Sequence, residues 1–237
     1  MSPPMPRRYL LIDDNRDFLE NVSEILEDTG AEVAIAEDGL AALALVRATR
    51  FDAVVTDMRM PGMTGAQLVH ELRVIDPGLP VILLSAFSQD AQLREARRSG
   101  LLAVLSKPHQ MPRLIGLLGS ARRGGTIVLV EDDPALADNL TEALSARGLS
   151  VATASNLGEV DGLGVEPFVA LVDLRVPGGG FGESLDRVRS RFPGTPMVVI
   201  TAYSEGRPDC AALFLKPFDT GELVAQVEAL YQAAMAS

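Results

Sequence analysis

Leu11-Ile12-Asp13-Asp14 closes an apolar run near the start of the chain, and 118 residues later Leu129-Val130-Glu131-Asp132 closes another. An apolar run that ends in two carboxylates reads as a buried strand leaving a sheet for solvent. The match extends along the chain. At an offset of 116, Asp57-Met58-Arg59-Met60-Pro61-Gly62 returns as Asp173-Leu174-Arg175-Val176-Pro177-Gly178, and Pro80 to Phe87 returns as Pro196 to Tyr203. Lys107-Pro108 returns as Lys216-Pro217 at an offset of 109. The falling offset means that the second copy is shorter by two residues early and seven late. The chain therefore divides into two domains, 1–123 and 124–237, at the polar, glycine-containing break from Ser120 to Thr126.

Within each copy short β-branched runs alternate with helical periodicity, the pattern of a parallel sheet covered on both faces. Strands are expected near 8–12, 32–36, 52–57, 80–85 and 102–106, then near 127–130, 151–154, 169–173, 197–201 and 213–216. Phe18, Leu19, Val22, Ile25 and Leu26 form one apolar stripe on the first helix, which Gly30 is placed to end. Asp219 and Glu222 make a capping pair for the last helix, which reaches Ala236. One element fails to repeat. Ser88 to Gly100 reads as an amphipathic helix carrying Leu93 and Ala96, whereas Ser204 to Cys210 holds Gly206 and Pro208 and is too short for more than a turn. Helix four of the second domain is expected to be missing or vestigial, and its second helix, within Asn156 to Gly164, to be weak.

Composition narrows the function. A hydrophobic fraction of 47% over 237 residues supports two ordinary cores rather than a disordered chain. The lone Cys210 excludes a disulfide framework or multi-cysteine metal site and favours a cytoplasmic setting. No apolar run reaches the roughly 20 residues needed to cross a bilayer, and Met1 to Arg8 does not read as a signal peptide. The net charge of −11 argues against a nucleic-acid surface. It is uneven: −2 for residues 1–123 and −9 for 124–237, so the two parts face different partners or each other.

The chemically interesting residues all stand where strands end, the edge at which open α/β sheets bind ligands. Two carboxylates on one loop and a third on a neighbouring strand suit Mg²⁺, which prefers hard oxygen ligands. Asp14 with Asp57, and Asp132 with Asp173, would hold such an ion. An aspartate beside it can act as a nucleophile toward phosphorus, with Lys107 or Lys216 and the hydroxyl of Ser85 or Thr201 supplying positive charge and a hydrogen bond. Lysine usage sharpens this: of 21 basic residues only two are lysines, and both stand in Lys-Pro at the end of a fifth strand. A compact ammonium fits a phosphoryl oxygen in a narrow site where a planar guanidinium does not.

These motifs resemble the bacterial response-regulator receiver domain, twice in tandem over nearly the whole chain. The resemblance implies two doubly wound (βα)5 domains with strand order 2-1-3-4-5 and phosphorylation on Asp57 and Asp173. Asp13, Asp14, Glu131 and Asp132 match the acidic metal-binding pairs, and the main-chain carbonyls of Arg59 and Arg175 match the family's further metal ligand. Ser85 and Thr201 match the switch hydroxyl, Phe87 and Tyr203 the switch aromatic, and Ala86 and Ala202 the small residue that keeps the phosphoryl pocket open. Lys107 and Lys216 match the lysine, whose following bond to proline is usually cis in the family. The sequence departs from the pattern at His109, where the family often has Phe, and at the shortened stretch between the fourth and fifth strands of the second copy. The triple glycine Gly178-Gly179-Gly180 is expected to loosen that active-site loop.

The expectation is a two-component phosphorelay protein without an output domain, phosphorylated by a histidine kinase or phosphotransfer protein in a Mg²⁺-dependent reaction, acting on a downstream protein target and able to form a homodimer. It is not expected to be an enzyme beyond its own phosphorylation and dephosphorylation, to bind nucleic acid or to enter a membrane. The alternatives are an interaction scaffold with one degenerate receiver, or a fragment of a longer regulator. A phosphatase using an aspartate nucleophile fits less well, because arginine, at Arg59 and Arg175, stands where such enzymes place a second aspartate as acid and base. Arg94, Arg97, Arg98, Arg122 and Arg123 read as a solvated helix surface, His70 and His109 as surface residues, and Cys210 as inert.

Overall fold

The computed structural model describes residues 6–85, 91–107, 111–203 and 209–236. The first half runs β1 (Arg8–Ile12), α1 (Arg16–Glu27), β2 (Glu32–Ala36), α2 (Gly39–Ala48), β3 (Ala53–Asp57), α3 (Gly65–Ile75), β4 (Val81–Ser85), α4 (Ala91–Arg98), β5 (Ala103–Ser106) and α5 (Met111–Ser120). The second runs β6 (Thr126–Val130), α6 (Pro134–Ser145), β7 (Ser150–Ala154), α7 (Leu157–Val160), β8 (Val169–Asp173), α8 (Glu183–Arg191), β9 (Met197–Thr201), β10 (Ala212–Leu215) and α9 (Thr220–Met235). Each half holds one parallel sheet, ordered β2-β1-β3-β4-β5 and β7-β6-β8-β9-β10. Every expected strand is present within a residue or so of its expected bounds. Among the described residues no helix lies between β9 and β10, and α7 is a single turn. The stretch 204–208, on which part of the reading of a lost fourth helix rests, lies outside the described residues, as do Ala86, Phe87, Pro108 and His109.

The alternation of faces follows from the sheets. Leu10, Ile12 and Val54 face the side covered by α2, α3 and α4, and Tyr9, Leu11 and Val55 face α1 and α5. The second sheet is covered in the same way by α7 and α8 on one side and by α6 and α9 on the other. On α1 the buried stripe is Leu19, Val22 and Leu26. Each such side chain contributes about 1.5–3 kcal/mol of transfer free energy. Ile25 departs from the expected stripe: one position round the helix, it is 39% exposed. Helix starts are set locally by Asn15, Asp38, Thr64, Asp133, Asn156 and Asp219, whose side chains accept backbone N–H groups of the first turn.

The two halves abut. Leu101, just before β5, pairs antiparallel with Val151 of β7 through hydrogen bonds of 3.2 and 2.9 Å. Around this bridge Arg97 meets Asp138 at 2.9 Å, Arg98 meets Glu159 at 2.5 Å and Arg122 meets Glu228 at 3.0 Å. Arg123 pairs within the first half with Asp76 at 2.5 Å, and its carbonyl accepts the Tyr231 hydroxyl at 2.9 Å. The reading of these arginines as a solvated surface is therefore corrected for Arg97, Arg98, Arg122 and Arg123. A run of like charge on a helix looks the same in sequence whether water or a second domain faces it. Arginines of the first half thus meet carboxylates of the more acidic second half.

Candidate functional site

Both sheets bring the same set of residues to their carboxyl edge. Hydrogen bonds between neighbouring strand ends fix the spacing: the Met58 N–H donates to the Leu84 carbonyl at 2.8 Å, and the Lys107 N–H donates to the Ser85 carbonyl at 2.9 Å. In the second half the Lys216 N–H donates to the Thr201 carbonyl at 2.8 Å. Each lysine is thereby held one strand away from its hydroxyl residue and two from its aspartate. Asp57 and Asp173 end β3 and β8, both almost wholly buried. Asp13 and Glu131 are buried beside them, while Asp14 and Asp132 are exposed.

In the first site Lys107 Nζ lies 2.9 Å from Asp13 Oδ2 and 3.0 Å from Asp57 Oδ1. In the second Lys216 Nζ lies 2.8 Å from Glu131 Oε2 and 2.7 Å from Asp173 Oδ2. Burial pulls both ammonium groups down, but hydrogen bonds and charge from the flanking carboxylates outweigh it and hold both pKa values above the ordinary lysine value. Burial likewise raises Glu131 above the usual glutamate value, only partly offset by Lys216 and the Asp133 N–H. The backbone contributes further donors: the N–H of Asn15 to Asp13 at 2.9 Å, of Arg59 to Asp57 at 3.3 Å and of Arg175 to Asp173 at 3.1 Å.

The carboxylate oxygens of Asp13, Asp14 and Asp57 lie within 4.8 Å of one another, as do those of Glu131, Asp132 and Asp173. Three carboxylates set against one ammonium leave each cluster two negative charges in excess, and all the donors are hard oxygens. That is the charge and donor chemistry a divalent Mg²⁺ matches.

Of the remaining sequence-derived residues, Ser85, Thr201 and Tyr203 fall at the same edge. Ser85 and Thr201 are buried, and the Tyr203 N–H donates to Thr201 Oγ1 at 3.2 Å. Tyr203 is 40% exposed, with its hydroxyl accepting from Arg175 at 2.5 Å and Phe181 meeting its ring edge-on at 5.5 Å. The Lys216-Pro217 bond is cis; Lys107-Pro108 cannot be compared because Pro108 lies outside the described residues. His70 is exposed and Cys210 half-buried, packed against the second core.

Several contributors were not evident from sequence. Gly65 lies so close to the site that a Cβ there would sit 2.4 Å from the Asp57 carbonyl oxygen. In the second half the Ser184 hydroxyl donates to the Asp173 carbonyl at 2.5 Å. The triple glycine also answers to packing as well as to freedom. Gly178 has φ +91, and a Cβ on Gly179 would meet Leu157 at 2.8 Å. The loop is tied by the Leu157 N–H to the Pro177 carbonyl at 2.9 Å and by the Gly182 N–H to the Leu174 carbonyl at 2.8 Å. The triple glycine was visible in the sequence, whereas Gly65 and Ser184 were not singled out by it.

Comparison with known proteins agrees with this arrangement. Residues 9–118 match the family model of the response regulator receiver domain. A response regulator receiver protein of Anaeromyxobacter sp. (strain Fw109-5) is 57% identical over 228 residues, covering 95% of this chain and 96% of its own. The transcriptional regulatory protein ZraR of Klebsiella oxytoca is 35% identical over 105 residues, which span 44% of this chain and 24% of ZraR. Among solved structures, chemotaxis protein CheY4 of Vibrio cholerae matches 48% of this chain and 98% of its own at 31% identity, with a TM-score of 0.46. The near full-length identity to a receiver protein, with two parallel sheets of one strand order, means that this chain belongs to the response regulator receiver family and carries its fold in tandem.

Proposed function

We propose that the chain is a phosphorelay protein of two receivers, 1–123 and 124–237, each accepting a phosphoryl group on one aspartate, Asp57 and Asp173. The observation that carries this reading is the lysine bridge, present twice: one ammonium within 3.0 Å of two carboxylates at each sheet edge. A lysine so placed is ready to follow charge from the free carboxylate to an incoming phosphoryl oxygen.

In the proposed reaction an Asp57 or Asp173 carboxylate oxygen forms a bond to phosphorus as the bond from phosphorus to the donor histidine nitrogen breaks, and that nitrogen keeps the electron pair and takes a proton. Asp13, Asp14, Asp57 and the Arg59 carbonyl, or Glu131, Asp132, Asp173 and the Arg175 carbonyl, would hold Mg²⁺, which would supply positive charge for the phosphoryl oxygens. Lys107 and Lys216 pair with another of these oxygens, and Ser85 and Thr201 donate to a third. Reorientation of those hydroxyls, followed by Phe87 and Tyr203, passes the change to the surface. The donor is a histidine kinase or phosphotransfer protein and the recipient a protein target; the chain itself turns over no external substrate. No described helix is long and apolar enough to cross a membrane, and the reading places the reaction in the cytoplasm.

The test is intact mass after incubation with Mg²⁺ and acetyl phosphate. Two added phosphoryl groups are expected, with Asp57→Ala and Asp173→Ala each removing one; a double variant that still labels sinks the assignment.

A further inference from the structure

Arg98 is the last residue of α4, in the first half, yet its partner is Glu159, in the only turn of α7. Its position is not left to chance. The carbonyls of Ser99 and Gly100, which follow it, accept from the guanidinium of the fully buried Arg73 at 2.7 and 2.5 Å. Leu101 is then locked to Val151 by the antiparallel bridge. Arg98 is thus presented to the second half from a fixed backbone.

From Glu159 a short series of contacts leads to the second site. The Glu159 carboxylate accepts from the Arg98 guanidinium at 2.5 Å and from the Ser155 N–H and hydroxyl at 2.8 and 3.0 Å. This closes the turn in which Leu157 stands. Leu157 in turn donates its N–H to the Pro177 carbonyl, and its side chain fills the space that a Cβ on Gly179 would need. Pro177 and Gly179 belong to the loop that leaves Asp173. That loop has three successive glycines, so its conformation depends on what it rests against more than on its own backbone preference.

We propose that Arg98 is a positioning residue for the second site, supplied by the first half: through Glu159 and Leu157 it holds the Val176–Gly182 loop in the conformation in which Asp173 accepts a phosphoryl group. The proposal rests on the reading of Asp173 as a phosphoacceptor. It makes the second site incomplete without the first half.

The experiment uses the whole chain with Mg²⁺ and acetyl phosphate, following Asp57 and Asp173 separately by fragmentation mass spectrometry. In Arg98→Ala the rate at Asp173 is expected to fall about twofold to thirtyfold, the range for residues that couple through packed contacts, while the rate at Asp57 in the same sample stays unchanged. Glu159→Gln gives a similar fall, the double variant falls no further than either alone, and Arg98→Lys recovers part of the rate. Without phosphodonor, amide exchange in the Val176–Gly182 loop speeds up in Arg98→Ala, an effect that a general loss of stability would spread over both halves. Labelling of Asp173 at the wild-type rate in Arg98→Ala overturns the proposal while leaving the phosphoacceptor reading intact. Absence of label on Asp173 in the unaltered chain, with Asp57 labelled, overturns both for the second site.

Discussion

Lys216→Ala offers the sharpest physical test of the second site. Its ammonium stands 2.8 Å from Glu131, whose side chain is 0% exposed, and 2.7 Å from Asp173, at 10%. Removing it leaves two carboxylates facing each other with little water between them. Breaking a buried pair in this way costs about 3–5 kcal/mol if both groups stay charged. A proton sets a ceiling. Glu131 is already pushed above the usual glutamate value by burial, so it takes up a proton first. Holding a glutamate of ordinary pKa protonated costs about 3.7 kcal/mol at pH 7 and about 1 kcal/mol at pH 5. The sign follows from linkage: a carboxyl whose folded pKa is raised binds more protons folded than unfolded, so the variant regains stability as pH falls toward the ordinary glutamate value. Urea unfolding followed by circular dichroism should show a loss of about 3 kcal/mol at pH 7 that shrinks to about 1 kcal/mol at pH 5. Mg²⁺ should restore more stability to the variant than it adds to the wild type, because it replaces the missing positive charge. An equal loss at both pH values, with no gain from Mg²⁺, would refute the electrostatic account of the site.

Three further outcomes follow from the structure. Gly148→Ala sets a left-handed φ of +77 against a Cβ 1.8 Å from the Ser120 carbonyl oxygen, and should cost at least about 2 kcal/mol in thermal or urea unfolding, since backbone on both sides must move. Arg73, whose pKa burial lowers to about 10, donates to the carbonyls of Pro77, Leu79, Ser99 and Gly100. Arg73→Met should destabilise the first half by about 3 kcal/mol or more, and Arg73→Lys should recover little, because one ammonium cannot reproduce the planar fork. For Glu159, burial acts to raise the pKa, but the Ser155 hydrogen bonds and Arg98 outweigh it and hold the carboxyl below its usual range. A depressed carboxylate contributes stability that is present above the ordinary glutamate pKa and lost as pH falls through the folded value. Amide exchange at Ser155 and Leu157 should therefore rise on acidification below about pH 4, and Glu159→Gln should abolish that dependence.

Much of this molecule was legible because its signals are local strings. Asp13-Asp14, Asp57, Ser85 and Lys107 each stand at or within one residue of the end of an apolar run, and a parallel sheet necessarily delivers the ends of its strands to one edge. The repeat then supplied a second, independent copy of each position. The strand bounds, the weakness of α7 and the cap at Asp219 came from the same kind of short-range pattern. Ile25 was misplaced because periodicity defines a stripe's direction better than its width.

What tertiary structure decided lies between residues far apart in the chain. Arg98 and Glu159 are 61 residues apart, and Arg122 and Glu228 are 106. In the sequence these arginines are only charges on helical faces, and a solvated charge and a paired one leave the same trace. Nothing in the sequence marks Arg73, around which the fold gathers four carbonyls. Nothing in the sequence marks Gly148, which the fold sets against the Ser120 carbonyl. The chemistry of each site was written where strands end, because adjacency along the chain and parallel pairing are enough to assemble it. How the two halves meet, and which cations serve that contact, depended on packing between surfaces that no local pattern encodes.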